Sequence, residues 1–170
     1  MSALQSYVLD TNTIIDLRYG NLLQRVFRLP CHFVVTDILR EELVNPPFNL
    51  LAGMGLLDEP LTPAEVAEIS GFVERYPRLS YYDVSVMILA RSKNTVLISG
   101  DEALRNAAAD NGVTCHGTCW LIDYLASEGI ITHSEAIAAY EVIRSKPRYP
   151  PKEECHALLA GWKQRKKLLE

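Results

Sequence analysis

The chain has 170 residues, 48% of them hydrophobic and 22% charged, with a formal net charge of −4. That is enough chain for a sizeable core and the composition of an ordinary soluble globular protein. No apolar run reaches the length of a membrane span, and the nearly uncharged N-terminus runs directly into a strand-like segment, so neither a transmembrane helix nor a signal peptide is expected. Four scattered cysteines, Cys31, Cys115, Cys119 and Cys155, read as reduced thiols of a cytoplasmic protein. Cys115-x-x-x-Cys119 lacks a second ligand pair at zinc spacing.

In chain order, Tyr7–Leu9 reads as a short buried strand, followed by helices over 13–18 and 22–28. Phe33-Val34-Val35 is a second strand, and a helix is predicted from about Asp37 to Val44, stopped by Asn45-Pro46-Pro47. Residues 48–57 read as helical. Thr62-Pro63-Ala64-Glu65 is a capping box with proline at the first helical position, and Val66, Ile69, Val73 and Tyr76 follow at a period near 3.6. Ser80-Tyr81-Tyr82-Asp83 is a similar box. The helix behind it, 84–90, is apolar almost all round and is therefore buried. Thr95–Ser99 is the third strand, 102–111 a helix ended by Asn111-Gly112, and 113–115 a short fourth strand. Helices over about 119–127, 134–145 and 151–167 close the chain. Strands alternating with helices predict a parallel α/β sheet. No linker or repeat divides 1–170, so one domain is expected, with a core of 1–128 and a helical extension of 129–170.

Charge is uneven. Residues 1–143 carry 9 Lys/Arg against 18 Asp/Glu, and 144–170 carry 8 against 3. The dense cations Lys163, Arg165, Lys166 and Lys167 suit phosphate engagement, and equally suit a solvated helix C-terminus.

Four acids follow apolar segments: Asp10 after the first strand, Glu42 in the helix leaving the second, Asp83 at the start of the buried helix and Asp101 after the third strand. In an open parallel sheet, sites form beyond the carboxyl ends of the strands, so all four can reach one edge. Carboxylates crowded at a core edge repel one another and lose hydration, which raises their pKa unless a cation joins them. A hard ion such as Mg²⁺ or Mn²⁺ answers that need. At 100° per residue, Glu42 falls on the apolar face of Ile38, Leu39 and Leu43, and Glu41 points away. Each acid also has a plain structural role. Asp10 suits an Asx turn, Asp83 a capping box and Asp101 an N-cap, while Glu42 could reach water. Four such roles at one edge are a poor coincidence, and a cap residue keeps an oxygen for other partners.

At Val8-Leu9-Asp10-Thr11-Asn12, Glu42-Leu43, Leu79-x-x-x-Asp83 and Ile98-Ser99-Gly100-Asp101-x-x-Leu104-Arg105, the chain resembles the PIN-domain family of metal-dependent nucleases. The resemblance runs through residues 7–115, and 129–159 looks like the extension of small prokaryotic members. It implies a three-layer α/β/α sandwich with a central parallel sheet and Mg²⁺- or Mn²⁺-dependent cleavage of RNA. It also implies a homodimer and, for a toxin of a toxin–antitoxin pair, a small inhibitory antitoxin protein. Carried over, Asp10, Glu42, Asp83 and Asp101 match the acidic quartet, both metal ligands and catalytic residues. Asn12 matches a polar residue that orients the first acid, and Ser99 a Ser/Thr lining the site. Gly100 departs from the pattern, since many relatives carry an acid there. A metal at Asp10 and Asp101 would lower the pKa of a bound water.

Two other readings compete. A haloacid-dehalogenase-like phosphatase needs a second acid two residues after its nucleophile, where this chain has Asn12, and a nearby lysine, for which only Lys93 offers. A PIN fold that has lost activity and acts as a binding module keeps the same sequence signature. His32, His116, His133 and His156 are scattered and read as surface or capping residues. Tyr81 and Tyr82 read as packing, with base stacking the alternative. Apolar residues at Phe48, Leu50, Leu51, Met54, Leu56 and Leu57 suggest a partner surface.

Overall fold

The computed structural model describes residues 3–147 and 153–170. Five strands, β1 (Ser6–Leu9), β2 (His32–Thr36), β3 (Leu57–Glu59), β4 (Val96–Ile98) and β5 (Cys115–His116), form one wholly parallel sheet in the order β3-β2-β1-β4-β5. Register places Val8 beside Val34 and Leu97. The central strands are covered on both faces, which is why Val8, Leu9, Val34, Val35, Leu97 and Ile98 are all apolar and buried.

Nine helices are present among the described residues. α1 (Thr11–Tyr19) and α2 (Leu23–Val26) connect β1 to β2, and α3 (Phe48–Met54) precedes β3. α4 (Pro63–Arg75) and α5 (Tyr81–Ser92) carry the chain across to β4, and α6 (Glu102–Asp110) leads to β5. α7 (Thr118–Ser127), α8 (His133–Arg144) and α9 (Glu153–Leu169) follow. α1 packs with α2, α7 and α8, while α5 packs with α4 and α6. Right-handed crossovers put these groups on opposite faces, giving an α/β/α sandwich with α9 laid over α7 and α8. None of the described helices is long and apolar enough to cross a membrane.

The capping signals form as read. Thr62 and Ser80 each accept from the backbone three residues on, and Glu65 and Asp83 reach back to close both boxes. A third box, Thr132 with Glu135, starts α8. Val84–Ala90 are buried all round, as an apolar helix between a sheet and two helices must be.

Four expectations need correction. The helix over 37–44 is a single 3₁₀ turn, Ile38–Glu41, with Glu42 as its C-cap. Side chains supply its first partners: Asp37 accepts from the Ile38 amide and Thr36 Oγ1 from the Leu39 amide. The two prolines just beyond forbid further turns. β3 was not expected, and the helix read over 48–57 took in only its first residue, because a three-residue edge strand with two acids shows no apolar run. Leu51 and Leu56 belong to the core, so of the proposed partner surface only Leu50 and Leu57 are largely exposed. Cys119 and Cys155 form a disulfide with Cα atoms 5.5 Å apart. They are distant in sequence, and only the packing of α9 on α7 brings them within bonding reach. Pro151, predicted to open the last helix, lies outside the described residues.

Trp162 is fully buried, and its indole Nε1 donates to Asp123 Oδ1 at 2.8 Å. α9 is therefore part of the core. Trp162→Ala is expected to cost roughly 3–5 kcal/mol in urea unfolding. Thr62→Ala, which only uncaps α4, is expected to cost about 1 kcal/mol.

Candidate active site

In this strand order the connections leave β1 and β4 in opposite directions, so the crevice beyond their carboxyl ends is the topological switch point. Asp10 follows β1 directly, and Ser99 follows β4. The backbone joins them, because the Asp10 amide donates to Ile98 O at 3.3 Å and Thr13 Oγ1 donates to the same carbonyl at 3.1 Å.

Asp10 caps α1: its Oδ1 accepts from the Thr13 amide at 2.7 Å. Its Oδ2 accepts from the Ser99 hydroxyl. Ser99 Oγ in turn accepts from the Asp101 amide at 3.1 Å, and Asp101 Oδ1 caps α6 by accepting from the Leu104 amide at 2.8 Å. One serine thus aligns the first and fourth acids, with both at helix N-termini whose dipoles favour negative charge.

Asp10 is only 1% exposed. Burial pushes its carboxyl up to about 6, against the pull of hydrogen bonds from Ser99 and Thr13, and the charge of Asp83 adds to the rise. Asp83 is therefore an electrostatic neighbour of Asp10. Its Oδ2 accepts from the Ser80 amide at 2.8 Å, leaving Oδ1 for another partner. Glu42 arrives from the end of β2, the strand on the opposite flank of β1 from β4. Its Oε2 accepts from the hydroxyl of Thr11, the residue after Asp10.

The choice of Glu42 over Glu41 rested on α-helical angles that a 3₁₀ turn does not have. The structure nonetheless turns Glu42 inward and half-buries it while Glu41 is exposed. Thr36 Oγ1 and Ser85 Oγ lie 2.9 Å apart and set this geometry from below. Ser85 gives its proton to Tyr82 O, so Thr36 donates to Ser85 and accepts from Leu39. That chain pins the 3₁₀ turn to α5.

A cleft of about 290 Å³ opens beside this edge, lined by Asn12, Asp16, Tyr19, Gly100, Asp101 and Lys146. Asn12 and Asp101 reach it directly, whereas Asp10 is sealed beneath. Asp16 was not singled out from the sequence. It is 9% exposed, and its Oδ2 accepts from Thr118 Oγ1 at 3.1 Å. A signal existed, since Asp16 lies four residues from Asn12 and so on the same face of α1. Thr11, Tyr19 and Lys146 had no local signal.

The basic residues of α9 lie elsewhere. Glu154 bonds Arg105 at 3.0 Å and Cys155 bonds Cys119 near the start of α7, at the carboxyl edge of the sheet. Trp162 and Arg165 reach Asp123, further along α7. α9 therefore runs parallel to α7, away from the acids. At ~1.5 Å per residue, Lys166 is about 16 Å beyond Cys155. The expectation that this tail supplies phosphate attraction at the site does not suit its placement.

The donors fit a hard divalent cation in kind, being carboxylates and hydroxyls with one acid desolvated beside another. As the side chains stand, no group of three Asp, Glu, His or Cys residues able to hold a metal is assembled among the described residues.

The raised Asp10 pKa makes the protonated acid the form that folding favours. Its contribution is fully present below the unfolded value near 3.8 and is lost as pH rises through about 6. In Asp10→Asn, the amide oxygen can keep the Thr13 cap while the amide nitrogen donates to Ser99. The metal-free variant is expected to be more stable than the parent at pH 7–8, by up to about 3 kcal/mol. The gain should shrink towards nothing near pH 4, as melting curves across pH will show.

No curated protein matches the chain. Among solved structures it is similar to a PilT N-terminus domain protein from the hyperthermophilic archaeon Sulfolobus solfataricus P2. Identity is 16% over 72% of this chain and 92% of that one, with a TM-score of 0.47. A family model, DUF3368, described as a PIN domain, matches residues 6–164. With nearly its whole length matched, the chain belongs to the PIN-domain family.

Proposed function

We propose that the protein is a metal-dependent endoribonuclease that cleaves RNA phosphodiesters with Mg²⁺ or Mn²⁺. PIN domains are generally nucleases. The observation that carries the reading for this chain is the buried Asp10 carboxylate, tied through Ser99 to Asp101 and facing the charge of Asp83. A fold gains nothing in stability from burying an acid beside another acid, so a positively charged partner is the economical explanation.

Asp10, Asp101, Asp83 and Glu42 would hold the cation. Bound there, a divalent ion supplies the charge that activates water and stabilises the leaving oxygen. Ser99 keeps Asp10 and Asp101 in one orientation, and Thr11 does the same for Glu42. Asn12, at the cleft wall, would orient the first acid. Asp83 and Glu42 would position water. No His or Ser acts as a nucleophile in this scheme: Ser99 spends its proton on Asp10.

A second reading is a PIN fold that keeps the same residues and binds RNA or protein without cutting. The pure protein separates the two. Mg²⁺ or Mn²⁺ is expected to raise the melting temperature and switch on RNA cleavage, and excess chelator to abolish it. Full activity in chelator would refute the proposal. Thermal stabilisation by Mn²⁺ with no cleavage of any RNA would favour the binding module.

The acids can be told apart as well. Glu42→Gln is expected to reduce cleavage by two orders of magnitude or more with little change in melting temperature, because volume is kept and ligand charge is lost. Glu41→Gln should stay within about twofold of the parent, since exposed substitutions are usually near neutral. The reverse ranking in a cleavage assay would remove Glu42 from the site.

A narrower proposal makes the protein the toxin of a toxin–antitoxin pair, working in the cytoplasm as a homodimer restrained by a small antitoxin protein. It rests on the family, together with the exposed Leu50 and Leu57 as a contact surface. Growth arrest on expression, relieved by an adjacent small reading frame, is its test.

A further inference from the structure

An acidic site has to attract a polyanion, and the densest cations of this chain face the wrong way. Among the described residues that line the cleft, Lys146 is the one cation. Asp16 and Asp101 share that lining, yet the Lys146 ammonium sits 4.1 Å above the centre of the Tyr19 ring, with no ion pair among the described residues. A cation over an exposed tyrosine is held only weakly. That is enough to hold a flexible side chain at the rim without spending its charge on a carboxylate.

The placement is built by packing. A Cβ on Gly20 would meet Ile143 Cδ1 at 3.0 Å and Ala139 Cβ at 3.3 Å, so glycine lets α8 seat directly on the end of α1. Arg25 on α2 pairs with Glu135 at 2.6 Å and fixes the other end of α8. The turn that leaves α8, closed by the Lys146 amide donating to Ile143 O at 3.1 Å, then has to pass over Tyr19.

We propose that Lys146, seated on Tyr19, grips a backbone phosphate of single-stranded RNA beside the one being cleaved, so that the C-terminal extension forms one wall of the substrate groove. The proposal rests on the ribonuclease reading for its substrate. Lysine suits the role because a point charge on a long stem accepts a phosphate at many angles. That permits binding without regard to base sequence. Lys146 positions the strand and takes no part in bond breaking.

The test uses the full chain and a short fluorescein-labelled oligouridylate. Binding is read by anisotropy in Ca²⁺ and cleavage in Mn²⁺. Lys146→Met is expected to weaken binding about five- to tenfold at low salt and to reduce the slope of log K against log salt by ~0.7, one phosphate contact on a single strand. In cleavage it should raise KM with kcat within about twofold. Lys146→Arg should keep most of the affinity. Tyr19→Leu should weaken binding in the same direction, and Tyr19→Phe should not. Lys163→Met, which removes the same charge from the far end of α9, is expected to leave the slope unchanged. Parental affinity and slope in Lys146→Met would overturn the proposal, as would an equal loss in Lys163→Met. If the parent protein binds the oligonucleotide but does not cut it, the nuclease reading fails while the binding measurements still decide the role of Lys146.

Discussion

The hydrogen bond from Ser99 to Asp10 is the contact on which the carboxylate edge depends. It joins the ends of two adjacent strands whose connections leave in opposite directions, and it spans residues 89 apart in sequence. Ser99 has one proton, which goes to Asp10, and its oxygen receives the Asp101 amide. The order β3-β2-β1-β4-β5 is what makes the two residues neighbours. With β1 and β4 apart, Asp10 would be an ordinary helix cap and Asp101 another.

Capping and chemistry are the same act in this protein. Asp10, Asp83 and Asp101 each satisfy an orphan amide at a helix start. Each helix holds its acid at a defined height above the sheet, and the cap bond removes rotamer freedom that a metal ligand would otherwise have to lose on binding. Asp10 shows the opposing cost, because burial outweighs its two hydrogen bonds and raises its pKa. A carboxylate that served only as a cap would do so near the surface, as Glu65 and Glu135 do at the starts of α4 and α8.

The C-terminal extension contributes through its first turns rather than its basic end. α8 docks on α1 through Gly20, and α9 is anchored on α7 by the Cys119–Cys155 disulfide and by buried Trp162. Because α9 runs parallel to α7, its lysines finish away from the carboxyl edge that holds the acids. Lys146, at the start of a proline-punctuated stretch, ends beside the acids instead.

Much of this was written locally. Apolar strands, capping boxes and the Asn111-Gly112 stop depend on neighbours within four residues, so the parallel α/β architecture, Asp10 at a strand end and Asp83 and Asp101 at helix starts were legible from the sequence. The edge strand β3 was not, since Leu57-Asp58-Glu59 is too short and polar to show a period. The 3₁₀ turn before Glu42 was not either, because its amides are satisfied by Thr36 and Asp37 side chains rather than by helix propagation. Asp16 lay within reach of a face count from Asn12. The disulfide, the direction of α9 and the seat of Lys146 on Tyr19 lay beyond any such count. Each depends on which helix packs against which, and that is settled by burial of side chains from segments tens of residues apart, whose spacing carries no period. The sequence by itself determined the apolar strands, the capping boxes of α4 and α5 and the order of the acids along the chain. Only the tertiary structure decided which caps share one crevice and which cation faces them.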